Sequence, residues 1–320
     1  MNKAVSWTLR FLLGIGLLGF LFWRVGISEI LGTLRQMNLW YLPIVVLLYF
    51  ANLLFGAINI VLLMHPREKK IPLWELFGFY MLSWAVGLFV PGRFGEVSLV
   101  YFLKKRDIPF GEGFLIFVLD KFISILFLGG VSAVAFFKFF DVETAVSLLI
   151  FVIVCIVAFG LPMFSSFLRE RIKTHILRAY AHKFKGFSAL LGFYVSKKFH
   201  LIILNFLTTG LRWLVSSVIY YFAFLSFGVS QPLWLVFLIT CLTSVLSFVP
   251  ITVSGLGIRE SAGVYLYSLQ GIDAPVVASS YLLVVVCSYT IASLVFYLSK
   301  YDSIFKTLPQ EPSKDSTSAP

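Results

Sequence analysis

Charge is scarce in this sequence. Aspartate, glutamate, lysine and arginine make up 13% of the 320 residues, against 59% hydrophobic residues and 18% aromatics, and the mean hydropathy is +0.94. That balance excludes an ordinary water-facing globule and leaves no room for a large soluble domain. The composition reads as an all-α polytopic membrane protein, because several uncharged stretches reach the roughly 20 residues a helix needs to cross hydrocarbon. The first apolar run, Trp7 to Trp23, has no Ala-x-Ala-like cleavage site and reads as a retained first helix.

Catalytic and metal-binding constellations are missing as well. The histidines, His65, His175, His182 and His200, sit at or beyond the ends of apolar runs, with no HExxH pair, no GxSxG elbow and no carboxylate cluster suited to a metal. A GxxxxGK[ST] phosphate loop is absent too, which argues against ATP-driven transport by this chain. The three cysteines, Cys155, Cys241 and Cys287, lie in apolar stretches without metal-ligand spacing and read as packing residues. The expectation is a non-enzyme without metal or cofactor.

The net charge of +11 is concentrated between residues 169 and 198, where Arg169, Arg171, Lys173, Arg178, Lys183, Lys185, Lys197 and Lys198 face one acidic residue, Glu170. A basic segment between two membrane spans faces the cytoplasm and anionic lipid head groups, not nucleic acid. Phe167, Leu168, Ile172, Ile176, Leu177, Tyr180 and Phe184 interleave with it at spacings that fit a helix lying on the membrane surface. The loop as a plain topology signal is the competing reading.

Full spans are expected at 6–23, 41–64, 113–137, 144–164, 201–227 and 276–299, with two longer broken segments at 73–103 and 233–270. With Lys3 and Arg10 in the cytoplasm, the positive-inside rule also puts Arg67, Lys69 and Lys70 inside, together with Lys104, Lys105 and Arg106. Segment 73–103 then enters from the cytoplasm and returns to it, while 233–270 starts and ends outside. Each is expected to be a re-entrant hairpin, the alternative being a pair of short tilted helices. Residues 41–137 and 201–299 thereby become two units of opposite topology within a membrane domain of residues 1–300. Inverted repeats with interrupted helices meeting at the midplane are a common way to build a transport site. Residues 301–320, polar and rich in Pro and Ser, read as a disordered tail.

The two broken segments also carry the unexpected charges. Pro91-Gly92-Arg93-Phe94-Gly95-Glu96 and Pro250-Ile251-Thr252-Val253-Ser254-Gly255-Leu256-Gly257-Ile258-Arg259-Glu260 each begin after Phe-Val, relax through glycines and end on a glutamate. Charge inside an apolar run is expensive, so these residues are functional candidates. Where helical hydrogen bonding lapses, freed N–H groups beside a guanidinium suit phosphate or carboxylate. Arg93 and Arg259 are the expected anion ligands, and Glu96 and Glu260 either pair with them or contact a cationic head group. Internal salt bridges locking each hairpin are the competing reading. Arg212, deep in 201–227, calls for a carboxylate such as Glu96, Asp120 or Glu260. Asp120 and Lys121 are about 100° apart on a helix, so one of them is expected to face the interior. Tyr49, Asn52 and Asn59 read as interhelical hydrogen-bonding residues.

At these two motifs the chain resembles the flippase-like transmembrane family typified by the membrane domain of lysylphosphatidylglycerol synthase, over roughly 6–300. The resemblance implies a stand-alone member without the soluble aminoacyl-transferring domain. It also implies movement of a polar or aminoacylated phospholipid between leaflets of the cell membrane. From the residues themselves, Arg93, Glu96, Asp120, Arg212, Arg259 and Glu260 are expected around the lipid, with Pro91, Gly92, Gly95, Pro250, Gly255 and Gly257 forming the backbone breaks. Family members carry a Glu-Arg pair followed by Asp after the first motif, whereas here Asp120-Lys121 is followed by Ser124. An enzyme or enzyme subunit acting on a lipid or polyprenyl-phosphate head group, and a scaffold for an envelope-lipid synthase, are the alternatives.

Overall fold

Leucine, isoleucine, valine and phenylalanine in runs longer than about 20 residues leave the backbone one way to satisfy its polar groups in hydrocarbon, which is the α-helix. In the computed structural model the described residues are 3–64, 71–90, 94–177, 184, 186–247 and 251–299, and they contain no strand. Six helical segments among them are long and apolar enough to cross a membrane: Thr8–Val25, Leu39–Met64, Phe110–Phe139, Val142–Phe164, Phe199–Leu225 and Ala274–Ser299. They correspond to the six expected spans, the third starting three residues earlier. The chain is a multi-pass membrane protein.

The helices in chain order are α1 (Lys3–Val25), α2 (Ile27–Arg35), α3 (Leu42–Met64), α4 (Leu73–Leu88), α5 (Ser98–Lys105), α6 (Phe110–Phe139), α7 (Val142–Phe164), α8 (Ser166–Arg171), α9 (Phe187–Lys197), α10 (Phe199–Leu225), α11 (Leu233–Leu246), α12 (Ile258–Ser268) and α13 (Ala274–Ser299). Helices α4 and α11, of 16 and 14 residues, are too short for a bilayer core. At 1.5 Å per residue they reach about 24 and 21 Å of the roughly 30 Å required. Each turns back through a break into a second short helix, α5 or α12.

Both ends of each hairpin lie at one end of the bundle. In the first, Glu75 at the start of α4 pairs with Arg106 just beyond α5. In the second, Tyr267 near the end of α12 stacks edge-on against Phe224 near the end of α10, with ring centroids 4.7 Å apart, close to where α11 begins. Arg106 and described parts of the 169–198 segment gather at the first of these ends. Phe184 packs edge-on against Phe110 and Phe114, and the Tyr194 hydroxyl donates to the Leu63 carbonyl.

The two halves pack alike. Helix α3 lies along α10, α4 against α13 and α11 against α6, while α5 packs on α6 and α12 on α13. Exchanging α3–α6 for α10–α13 returns the same pattern. The counterpart spans α3 and α10 are antiparallel, since Asn52 Nδ2 donates to the Arg212 carbonyl at 2.8 Å while, seven residues on, the Asn59 carbonyl accepts from Asn205 Nδ2 at 2.9 Å. Asn59 Nδ2 also donates to Thr209 Oγ1 at 2.9 Å. Such bonds fix the register where an apolar seam alone would slide.

Helix α2 was not foreseen. It follows a bend at Gly26, whose φ is 102°, and packs on α13. In the basic segment, helix occupies 166–177 and 187–197, while Tyr180 of the expected surface helix, and the 301–320 tail, lie outside the described residues.

Candidate functional site

The first hairpin closes because two glycines let backbone approach backbone. A Cβ on Gly95 would sit 2.6 Å from the Val86 carbonyl oxygen, so the returning chain lies directly on the last turn of α4. A Cβ on Gly87 would sit 2.6 Å from Glu96 Cγ, so the glutamate folds into space that Gly87 leaves free. Its carboxylate is thus held inside the bundle, with Glu96 7% exposed. There Oε2 accepts from Lys121 Nζ of α6 at 2.6 Å. The same ammonium is 3.5 Å from Asp120 Oδ2.

The second hairpin uses left-handed backbone. Ser254, Gly255 and Gly257 have φ of 52°, 77° and 84°, turning the chain sharply before α12. Glu260 reaches back so that Oε2 accepts from the Gly257 N–H at 2.6 Å, placing a negative charge at the positive end of α12. Arg259 Nη2 is 3.5 Å from Glu260 Oε1, its guanidinium carbon lies 5.8 Å from the centre of the Tyr220 ring, and its buried Nε has no acceptor. Helix α1 braces this turn. A Cβ on Gly257 would meet the Gly14 carbonyl oxygen at 2.8 Å, and a Cβ on Gly14 the Leu256 carbonyl oxygen at 3.3 Å. Gly16 and Gly19 face open space.

Between the hairpins lies a cavity of about 90 Å³, room for several water molecules. Glu96 lines it from the first hairpin, and Ser254, Arg259 and Glu260 from the second. Spans contribute Tyr49 and Asn52 of α3, Lys121 of α6, Arg212 and Tyr220 of α10, and Ser288 of α13. Of the charge neighbours on α6, Lys121 faces the cavity. Asp120 stands behind it in a smaller pocket and is 0% exposed.

Arg212 departs from the expectation that a carboxylate holds it. Nη1 donates to the Tyr80 hydroxyl at 2.9 Å and Nη2 to Ser124 Oγ at 3.3 Å, and among the described residues no carboxylate reaches ion-pair distance. Lys121 holds Glu96, and the turn of α12 and Arg259 hold Glu260. Glu96 and Glu260 enter one cavity with Arg212 and Arg259, and Gly95, Gly255 and Gly257 form the breaks. Pro91, Gly92, Arg93 and Pro250 lie outside the described residues. The sequence reading passed over Tyr80 and Tyr220, whose polar ends sit in helices otherwise read as apolar, and took Ser124 only as a departure from the family pattern. It treated Lys121 only as a neighbour of Asp120, although a lone cation in an apolar span is itself a signal.

The family model of the lysylphosphatidylglycerol synthase transmembrane region matches residues 7–295. The chain belongs to this family. A relative of it is the UPF0104 membrane protein MJ1078 of Methanocaldococcus jannaschii, 29% identical over 199 residues, covering 58% of this chain and 79% of the relative. The match to the family model includes both hairpins and the cavity-lining stretches of α3, α6 and α10, and α13 as far as 295.

Proposed function

We propose that this member of the family passes the polar head group of a membrane phospholipid through the central cavity while the acyl chains stay in the bilayer. The observation that carries this reading is the charge of the wall: among the described residues, the cations Lys121, Arg212 and Arg259 line it together with the carboxylates Glu96 and Glu260. Two guanidiniums on one wall suit a phosphodiester. A guanidinium remains charged when desolvated and offers a planar fork to phosphate oxygens. Arg259 has an unused Nε donor, and Arg212 rests on neutral hydroxyls that a phosphate outbids. The family's name points to aminoacylated phospholipid as one candidate cargo.

A cavity of about 90 Å³ holds waters but not a phospholipid head group, so transport requires the hairpins to part. The wall offers groups that bind charge and reorient, which supports transport over catalysis. We place the protein in the cell membrane with both termini in the cytoplasm. The clustering of Arg106 and the α8–α9 segment at one end of the bundle supports that orientation.

The test is leaflet exchange of head-group-labelled lipids in liposomes carrying the purified protein, read with an impermeant quencher. Wild type is expected to exchange label, and Arg259→Ala to slow exchange by about tenfold or more, the value of one charge-assisted hydrogen bond. Absence of exchange by wild type with anionic, zwitterionic and aminoacylated lipids alike would sink the proposal.

A further inference from the structure

The central cavity has a neighbour on the flank of the bundle. A groove of about 440 Å³ runs between α6, α10 and α11, lined by Phe127, Leu207, Leu211, Leu214, Trp234 and Phe237 and by no charged side chain. The three leucines are exposed on a spanning helix, so this flank meets hydrocarbon. Gly210 shapes the floor, since a Cβ there would lie 3.0 Å from Phe127 Cε2. At the other end Lys138 Nζ lies 5.7 Å from the centre of the Trp234 ring, a cation and an indole of the kind that anchor at a membrane interface. Phe127 stands eleven residues before Lys138 on α6, about 16 Å, or half of the roughly 30 Å hydrocarbon core. The groove is therefore one leaflet deep, which suits a single acyl chain and is too short to seat a spanning helix of a second copy. One packed layer separates it from the cavity. Phe127 and Phe237 pack against a buried cluster of Leu128, Trp213 and Cys241. Trp213 also lines the cavity, where the Arg212 guanidinium carbon is 5.7 Å from its ring centre. The indole is 7% exposed and its Nε1 has no acceptor among the described residues, although a buried tryptophan N–H usually finds one. The counterpart seam, α4 against α13, is closed by Phe89 stacked edge-on against Tyr289 at 5.4 Å, and the Tyr289 hydroxyl donates to the Leu88 carbonyl at 3.2 Å.

We propose that this groove seats one acyl chain of the transported lipid and that Trp213 is the side door through which its head group passes between bilayer and cavity. The inference rests on the head-group reading above and adds the route by which a lipid reaches that site. With a chain in the groove and a phosphate beside Arg212, the glycerol ester linkage falls at the layer between them. An ester carbonyl there is the acceptor that Trp213 Nε1 lacks. The space into which the ring turns is the cavity it already lines, so the wall opens by rotation of a side chain. The groove gains no hydrophobic energy over the surrounding lipid tails, which are as apolar as its leucines. Its contribution is position: a chain held along α10 places the head group against the one wall residue that carries an unused donor on the seam.

The experiment is leaflet exchange of head-group-labelled phosphatidylglycerol in liposomes carrying the full-length protein, for wild type, Leu214→Trp, Ile203→Trp and Trp213→Phe, beside binding of soluble glycerophosphoglycerol to the same proteins. Leu214→Trp fills the groove and is expected to slow exchange about tenfold, the cost of overpacking the chain, with glycerophosphoglycerol still bound. Ile203→Trp adds the same indole to an exposed position one turn before Leu207 and outside the groove, and is expected to exchange like wild type. Trp213→Phe keeps a ring in the wall but removes the donor, and is expected to slow exchange about fivefold. Equal exchange by Leu214→Trp and Ile203→Trp would overturn the acyl-chain groove. So would loss of glycerophosphoglycerol binding by Leu214→Trp, which would mean a distorted bundle, or its conversion of a dimer into a monomer, which would make the groove an interface between copies. Trp213→Phe exchanging like wild type would overturn the door. Wild type that binds glycerophosphoglycerol without exchanging lipid would overturn the sideways route and leave the anion site standing, whereas wild type that does neither refutes the head-group reading itself.

Discussion

Gly95→Ala isolates the closure of the first hairpin from every other contribution. The φ of Gly95 is not in the left-handed region, so alanine is conformationally acceptable there and only space is at issue. The added Cβ would lie 2.6 Å from the Val86 carbonyl oxygen, 2.8 Å from its carbon and 2.9 Å from the Gly87 nitrogen. All three are backbone atoms of α4, so no rotamer change relieves the clash. Ordinary contact near 3.4 Å requires the turn to lift by about 0.5–1 Å, and overpacking of that kind costs about 1–3 kcal/mol. Lifting the turn also withdraws Glu96 from Lys121. Gly130→Ala is the control, because nothing lies within 4 Å of its would-be Cβ and helix propensity favours alanine by about 1 kcal/mol. Thermal unfolding of the purified proteins should show Gly95→Ala melting several degrees below wild type, with leaflet exchange reduced, and Gly130→Ala at or above wild type. A Gly95→Ala protein that melts and exchanges like wild type would refute the close-packed hairpin.

Tyr80→Phe removes the Nη1 partner of Arg212 but keeps the ring; losing a hydrogen bond to a charged group costs about 1.5–3 kcal/mol, measurable as a lower melting temperature. Asn59→Leu cuts the bonds to Thr209 and Thr208 between α3 and α10, and at about 0.6 kcal/mol per interhelical bond it should lower stability by about 1 kcal/mol without abolishing lipid binding. Gly257→Ala combines left-handed strain of about 1–2 kcal/mol with contact against α1, so its melting temperature should fall further than that of Gly14→Ala.

Much of this architecture is legible in the sequence because hydrocarbon imposes few solutions. Six long apolar runs can only be spans, and Gly95, Gly255 and Gly257 mark places where helix cannot continue. The positive-inside argument from Lys104, Lys105 and Arg106 also put both ends of segment 73–103 on one side, matching the Glu75–Arg106 pair. The partner choices inside the site were not legible. Arg212 invites a carboxylate by charge alone, yet proximity assigns it to Tyr80 and Ser124, and nothing along the chain brings residues 80, 124 and 212 together. Angular reasoning on α6 separated Asp120 from Lys121 but ignored the length of the lysine stem, which lets one ammonium serve two carboxylates. Helix α2 was missed because its nine residues follow a span with a single bend at Gly26.

The near symmetry of the halves makes their difference informative. The second hairpin is braced from outside by α1, where Gly14 and Leu17 lie against the Leu256–Gly257 turn. On the first hairpin, Phe94 is 61% exposed and Tyr101 on α5 is 46% exposed. If the cavity must enlarge to admit a head group, the first hairpin, with its exposed flank, should move while the second stays held against α1. Spin labels at Phe94→Cys and at Ile251→Cys, both exposed positions, report on this in a background with Cys155 replaced by Ser; Cys241 and Cys287 are buried and out of reach of the label. Added phospholipid should change the mobility of the label at 94 and leave that at 251 nearly constant. Equal changes at both sites would mean that the hairpins open together, and a change confined to 251 would show that the contact with α1 is the moving joint.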